Sequence, residues 1–65
     1  MKFRYFEETD TLFVQISDEA AAETRELNEN LYVDLDPSGR VVSLTIEHAR
    51  ARTGKLDFAY ELVAA

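Results

Sequence analysis

Leu31-Tyr32-Val33-Asp34-Leu35-Asp36-Pro37-Ser38-Gly39-Arg40-Val41-Val42-Ser43-Leu44-Thr45-Ile46 is the stretch that decides the fold. Leu31, Val33 and Leu35 alternate with Tyr32, Asp34 and Asp36, and Val42, Leu44 and Ile46 alternate with Val41, Ser43 and Thr45. A period of two places each apolar set on one face of a strand. Between the two runs, Pro37 sits at the second turn position with its φ already set. Gly39, at the fourth, accepts the positive φ that a following bulge needs. The stretch reads as a β-hairpin with one apolar face.

The same period extends upstream. Met1, Phe3 and Tyr5 share a face opposite Lys2, Arg4 and Phe6; after the polar break Glu7-Glu8-Thr9-Asp10, Leu12, Val14 and Ile16 alternate with Thr11, Phe13, Gln15 and Ser17. This predicts a second hairpin. Residues 18–22 form a turn, although the three alanines also admit a helical turn. They lead into Glu23-Thr24-Arg25-Glu26-Leu27, whose charge suits an exposed edge strand. Asn28-Glu29-Asn30 is a further polar break. Downstream, Glu47-His48-Ala49-Arg50-Ala51-Arg52-Thr53 is rich in helix formers and stops at Gly54, which suits a C′ residue. A short helix over 47–53 follows, with Arg50 and Arg52 near the negative end of its dipole. In the variable tail, 54–65, Leu56, Phe58, Tyr60 and Leu62 share a strand face, while Leu56, Ala59, Tyr60 and Val63 share a helix face. Both readings stay open, with Asp57 as a cap favouring helix slightly.

The expected fold is therefore α+β: a small antiparallel β-sheet of four to five strands over 1–46, a meander of hairpins, followed by a short C-terminal helix. A chain of 65 residues makes one domain, 1–65. One sheet face takes Phe3, Tyr5, Leu12, Val14, Ile16, Leu31, Val33, Leu35, Val42, Leu44 and Ile46. A single sheet must cover such a face, and a two-turn helix is too small for it. Either the tail or a second copy of the chain has to help. The opposite face is mixed, with Phe6, Phe13, Tyr32 and Val41 among charges.

Composition narrows the ways of stabilising so short a chain. There is no cysteine and one histidine, His48, which excludes disulfides, thiolate metal sites and a two-histidine zinc site. Self-association is the remaining aid. The net charge is −6, with residues 1–36 carrying −7 and residues 37–65 carrying +1. Such a surface repels phosphate backbones and anionic lipids, so neither nucleic acid nor membrane is expected as a primary partner; a basic protein would be attracted. No run is long and apolar enough to cross a bilayer. With neither a secretory apolar block nor cysteine, a cytoplasmic address is expected.

The order of the segments Met1-Lys2-Phe3-Arg4-Tyr5, Asp10-Thr11-Leu12-Phe13-Val14, Ala22-Glu23-Thr24-Arg25-Glu26-Leu27, Leu31-Tyr32-Val33-Asp34-Leu35-Asp36, Gly39-Arg40-Val41-Val42 and Ile46-Glu47-His48-Ala49 resembles the bacterial family called domain of unknown function 2283. The similarity covers about residues 1–53. It implies a small antiparallel-sheet domain with a helix after the last hairpin, and no assigned activity, substrate or cofactor. Members encoded beside small toxin-like proteins suggest an antitoxin-like role. The recurrent positions, here Tyr5, Asp10, Leu12, Asp34, Asp36, Gly39 and Glu47, are explicable as turn and packing residues.

The polar constellations read as structural. Asp34-Leu35-Asp36-Pro37-Ser38-Gly39 opens like a calcium loop, but Thr45 stands where the bidentate Glu belongs and the flanks are strands. Asp34 and Asp36, spaced for one strand face, with Glu47 and His48, are the candidates for acid–base or metal-assisted chemistry. No nucleophile, glycine loop or oxyanion donor accompanies them, so a non-enzymatic protein with no cofactor is expected. His48, Arg50, Arg52 and Lys55 form a small basic patch suited to the helix dipole or to the acidic half of a second copy. The candidate interface is Phe6, Phe13, Tyr32, Phe58 and Tyr60, since aromatics concentrate in interface cores; alternatively, the tail covers Phe6, Phe13 and Tyr32. The function expected is a protein-interaction module forming a homo-oligomer, in particular a homodimer. The alternative is an antitoxin-like neutraliser of a small basic toxin.

Overall fold

The computed structural model describes residues 1–64. Five strands run in chain order as β1 (Lys2–Phe6), β2 (Thr11–Gln15), β3 (Glu23–Asn28), β4 (Leu31–Leu35) and β5 (Val41–Glu47), followed by one helix, α1 (Ala49–Thr53). They form a single antiparallel sheet in the order β1-β2-β5-β4-β3. Three hairpins supply β1–β2, β3–β4 and β4–β5, and β5 then closes the sheet by pairing with β2. The crossover over residues 18–22 leaves β3 as an outer edge, as its charge predicts, and none of these residues is helical.

The hairpin at 36–40 closes through one side chain. The Asp36 Oδ1 accepts hydrogen bonds from the Ser38 amide (2.9 Å), the Ser38 hydroxyl (2.7 Å) and the Arg40 amide (2.9 Å). Gly39 has φ 87, a left-handed value that glycine adopts without a Cβ clash. A register shift follows between Asp34 and Leu35, where Leu35 pairs with Val41 and Asp34 with Ser43, so that Val42 is the extra residue. Val42 is buried and Val41 is exposed. On the other side of β5, the amides of Ile16 and Ser17 both donate to the Val42 carbonyl, at 2.8 and 3.1 Å. Ile16 is displaced to 38% exposure by this irregularity, so the expected core position is only half covered.

β5 runs one residue past Ile46, and α1 starts at Ala49 rather than at Glu47. The cause is His48, which takes φ 57 and breaks strand from helix. His48 gives the helix no side-chain cap. That role falls to Asp10, about forty positions earlier: its carbonyl accepts from the Ala49 amide (3.0 Å), its Oδ1 from the Arg50 amide (2.8 Å) and its Oδ2 from the Ala51 amide (3.0 Å). Three of the four orphan donors of the first helical turn are thus satisfied by one residue. Tyr5 donates its hydroxyl to the same carboxylate at 2.7 Å. Asp10 itself has φ 54, a conformation that aspartate tolerates better than most residues. At the other end, Gly54 has φ 83 and its amide donates to the Arg50 carbonyl, an αL cap as the sequence predicts.

Held in this way, α1 lays Ala49 on Leu12 and Val14, with Tyr5, Leu44, Ile46 and Leu56 around them. Val33, Leu35 and Val42 are the other buried apolar residues. The segment after Gly54 corrects both expectations for it: residues 56–64 are neither helix nor strand. The β1 edge is open to a further strand, but among the described residues no backbone hydrogen bond joins residues 56–64 to it. A helix capped by Asp57 would have to lift Phe58 off the sheet, where it now packs against Phe3.

Because a five-residue helix has negligible stability alone, its tether to the β1–β2 turn is decisive. Asp10→Ala is expected to lower the thermal midpoint by roughly 5 °C, as the loss of a helix cap does in a domain of this size, and to reduce hydrogen-exchange protection at Arg50 and Ala51 before that of β5. Calorimetry and exchange NMR check both.

Candidate functional site

The register sorts the side chains onto two faces. On one, Phe3, Val14, Leu44 and Val33 lie in a row across β1, β2, β5 and β4; Tyr5, Leu12, Ile46 and Leu31 form the next row. This apolar face carries α1 over one end. Phe58 meets Phe3 with ring centroids 5.2 Å apart, tilted by 36°. An apolar cavity of about 380 Å³ remains between the sheet residues Phe3, Leu12, Val14 and Ile46 and the overlying Phe58 and Tyr60. Among the described residues no side chain is completely buried, and Phe3, expected in the core, is half exposed.

The opposite face carries Arg4, Phe13, Thr45, Tyr32 and Glu26 in one row and Lys2, Gln15, Ser43, Asp34 and Thr24 in another. Its centre is Asp34, which accepts the hydroxyls of Thr24 (2.5 Å) and Ser43 (2.6 Å). Tyr32 ionises above its ordinary range, because the carboxylates of Glu47 and Glu26 disfavour a second negative charge beside them. Phe13 and Tyr32 are half-buried and Phe6 is exposed.

The five aromatic residues singled out in the sequence therefore divide. Phe6, Phe13 and Tyr32 belong to the mixed face, and Phe58 and Tyr60 to the apolar one. The tail does not cover the first group: it lies across the other side of the sheet, because Phe58 pairs with Phe3, whose side chain points there. Phe3 is the exposed apolar residue that sequence reasoning missed, its alternation with Lys2 and Arg4 having suggested full burial.

The carboxylates and the histidine considered for catalysis do not converge. Asp34 is committed to hydroxyls on the mixed face. Asp36 lies outside β4 and is turned into its own hairpin, so the two acids do not share a strand face. His48 is exposed, with its Nδ1 3.0 Å from the Asn30 Oδ1, at the far end of β5 from Asp36. Seven residues of strand separate them, about 23 Å. Among the described residues no three His, Asp or Glu side chains are grouped to hold a metal ion. Of the basic patch, Lys55 is paired to Asp57 at 3.5 Å in solvent.

Two aspartates are held below the ordinary value of 3.8, and the Arg25 guanidinium lowers Glu23 as well. For Asp10 the main cause is the Tyr5 hydroxyl, then the Arg50 amide; the same bond pushes Tyr5 up. For Asp36 it is the Ser38 hydroxyl, then the Arg40 amide. A carboxylate whose folded value lies below its unfolded one stabilises the fold above the unfolded value and loses that contribution as pH falls through the folded value. The thermal midpoint is therefore expected to hold down to about pH 4 and to fall below it. Asp36→Asn should lower the neutral-pH midpoint and flatten the acid limb, as read by denaturation scans across pH; an unchanged limb would contradict the assignment.

No helix among the described residues is long and apolar enough to cross a membrane. No curated protein and no solved structure matches the chain. A family model matches residues 2–50, which is the whole sheet, the Asp10 and Asp36 turns and the start of α1. By that match the chain belongs to the family described as protein of unknown function (DUF2283).

Proposed function

We propose that this chain is a non-enzymatic protein-interaction module that works as a homodimer, joined through the apolar face of its sheet. One observation carries the reading. The chain exposes 5271 Å², whereas a compact monomer of 7.4 kDa exposes about 4,200 Å². The excess, on the order of 1,000 Å², is close to the ~800 Å² that each partner buries in a standard interface. The shape agrees: the radius of gyration is 13.1 Å and the extents are 35 × 35 × 19 Å, against about 10.7 Å for a compact chain of this length. A flat plate with one greasy side gains most from pairing that side with its like.

A second reading rests on the outer edge. All six residues of β3 are exposed, and residues 18–30 carry five acids against one base, Arg25, which pairs with Glu23 at 2.7 Å. This edge favours a basic protein partner, the antitoxin-like reading, and leaves the apolar face free for self-association.

Sedimentation equilibrium at micromolar concentration separates the two surfaces. The native chain is expected to be a dimer and Phe3→Glu a monomer with an unchanged far-UV spectrum. Glu23→Lys/Glu26→Lys should remain a dimer while losing affinity for a basic protein encoded beside it. A native chain that sediments as a monomer throughout overturns the first reading; charge reversal without effect on such a partner overturns the second.

A further inference from the structure

After α1 the chain crosses the apolar face from the middle of the sheet toward its β1 edge. Leu56 sits against the cluster of Leu12, Val14 and Ala49. Two residues on, Phe58 packs on Phe3 of β1, the last strand on that side. Past Phe58 the segment keeps little contact with its own sheet: Tyr60 lines the mouth of the apolar cavity beside Phe58 yet is 91% exposed, and Leu62 and Val63 are 90% and 78% exposed. Among the described residues no backbone hydrogen bond ties residues 56–64 to any strand. The chain thus leaves three large apolar side chains in water, while its own face keeps an apolar cavity open beside Phe58 and Tyr60.

We infer that residues 60–63 of each copy lie on the apolar sheet face of the other, so that the dimer is built by reciprocal exchange of these arms. The inference rests on the self-association proposed above and names the segment that makes it. Each copy offers both an apolar arm and an apolar cavity, which is what a closed two-fold pair requires. The reach suffices: an extended chain from Phe58 to Val63 spans about 17 Å, enough to cross roughly three strands of a neighbouring sheet. The area suffices as well. Phe3, Phe58, Tyr60, Leu62 and Val63 together expose on the order of 700 Å², close to the ~800 Å² per partner of a standard interface.

The test uses the full chain with Tyr60→Ser/Leu62→Ser, two positions that a single copy leaves in solvent and whose change should not disturb its fold. Sedimentation equilibrium is expected to show a dimer for the native chain and at least a tenfold weaker dimer for the double variant, with far-UV spectra superimposed. In a mixed sample of labelled and unlabelled native chains, isotope-filtered NOEs should connect the Tyr60 ring of one copy to the Val14 and Ile46 methyls of the other. A double variant that dimerises as tightly as the native chain overturns the arm exchange and leaves self-association through the sheet standing. A native chain that is monomeric overturns both.

Discussion

One layer of sheet has to hide a broad apolar face, and the chain has almost nothing to hide it with. Five strands about 4.8 Å apart and five residues deep make a face of roughly 24 × 17 Å, about 400 Å². A helix of five residues is about 7.5 Å long and 10 Å wide, so it shades about a fifth of that area. The rest of the design follows from this mismatch. Burial is deep beneath α1, at Leu12, Val14 and Ala49, and along β4 and β5, at Val33, Leu35 and Val42, but fails toward β1, where Phe3 is half exposed.

What cover exists depends on polar chemistry at the rim. The Asp10 carboxylate ties the β1–β2 turn to the first turn of α1, and the Tyr5 hydroxyl holds that carboxylate in place. The β3–β4 turn is joined to the same corner, since the Asn30 carbonyl accepts the Glu47 amide at 2.8 Å and its side chain meets His48. Two hairpin turns from distant parts of the sequence thus clamp the strand-to-helix junction. Without them α1 has too few residues to persist and too little apolar surface to dock. The polar rim decides where the apolar lid sits, and the lid decides how much of the face stays open.

The hairpins were legible because alternation and turn chemistry are local: Pro37 and Gly39 fix one turn and the run Glu7–Asp10 another, whatever happens elsewhere. Family membership was legible for the same reason, being carried by the order of those local pieces. The pairing of β5 with β2 was not, because nothing in a strand's alternation names its second neighbour. Asp10 read as a turn residue, since its helix partners lie forty positions away and contribute only amides, which have no sequence signature. The segment after Gly54 fitted helix and strand periods equally well, and tertiary contact, Phe58 on Phe3, chose neither. The interface candidates suffered likewise: alternation put Phe6, Phe13 and Tyr32 together correctly, but which face Phe58 and Tyr60 would meet depended on the path of an irregular chain.

The sharpest test of a face completed by a second copy is thermal unfolding of the native chain across a hundredfold range of concentration. If folding and pairing are coupled, mass action raises the midpoint steadily with concentration. A midpoint that stays constant over that range would mean that a lone copy tolerates its open face, and would contradict the account.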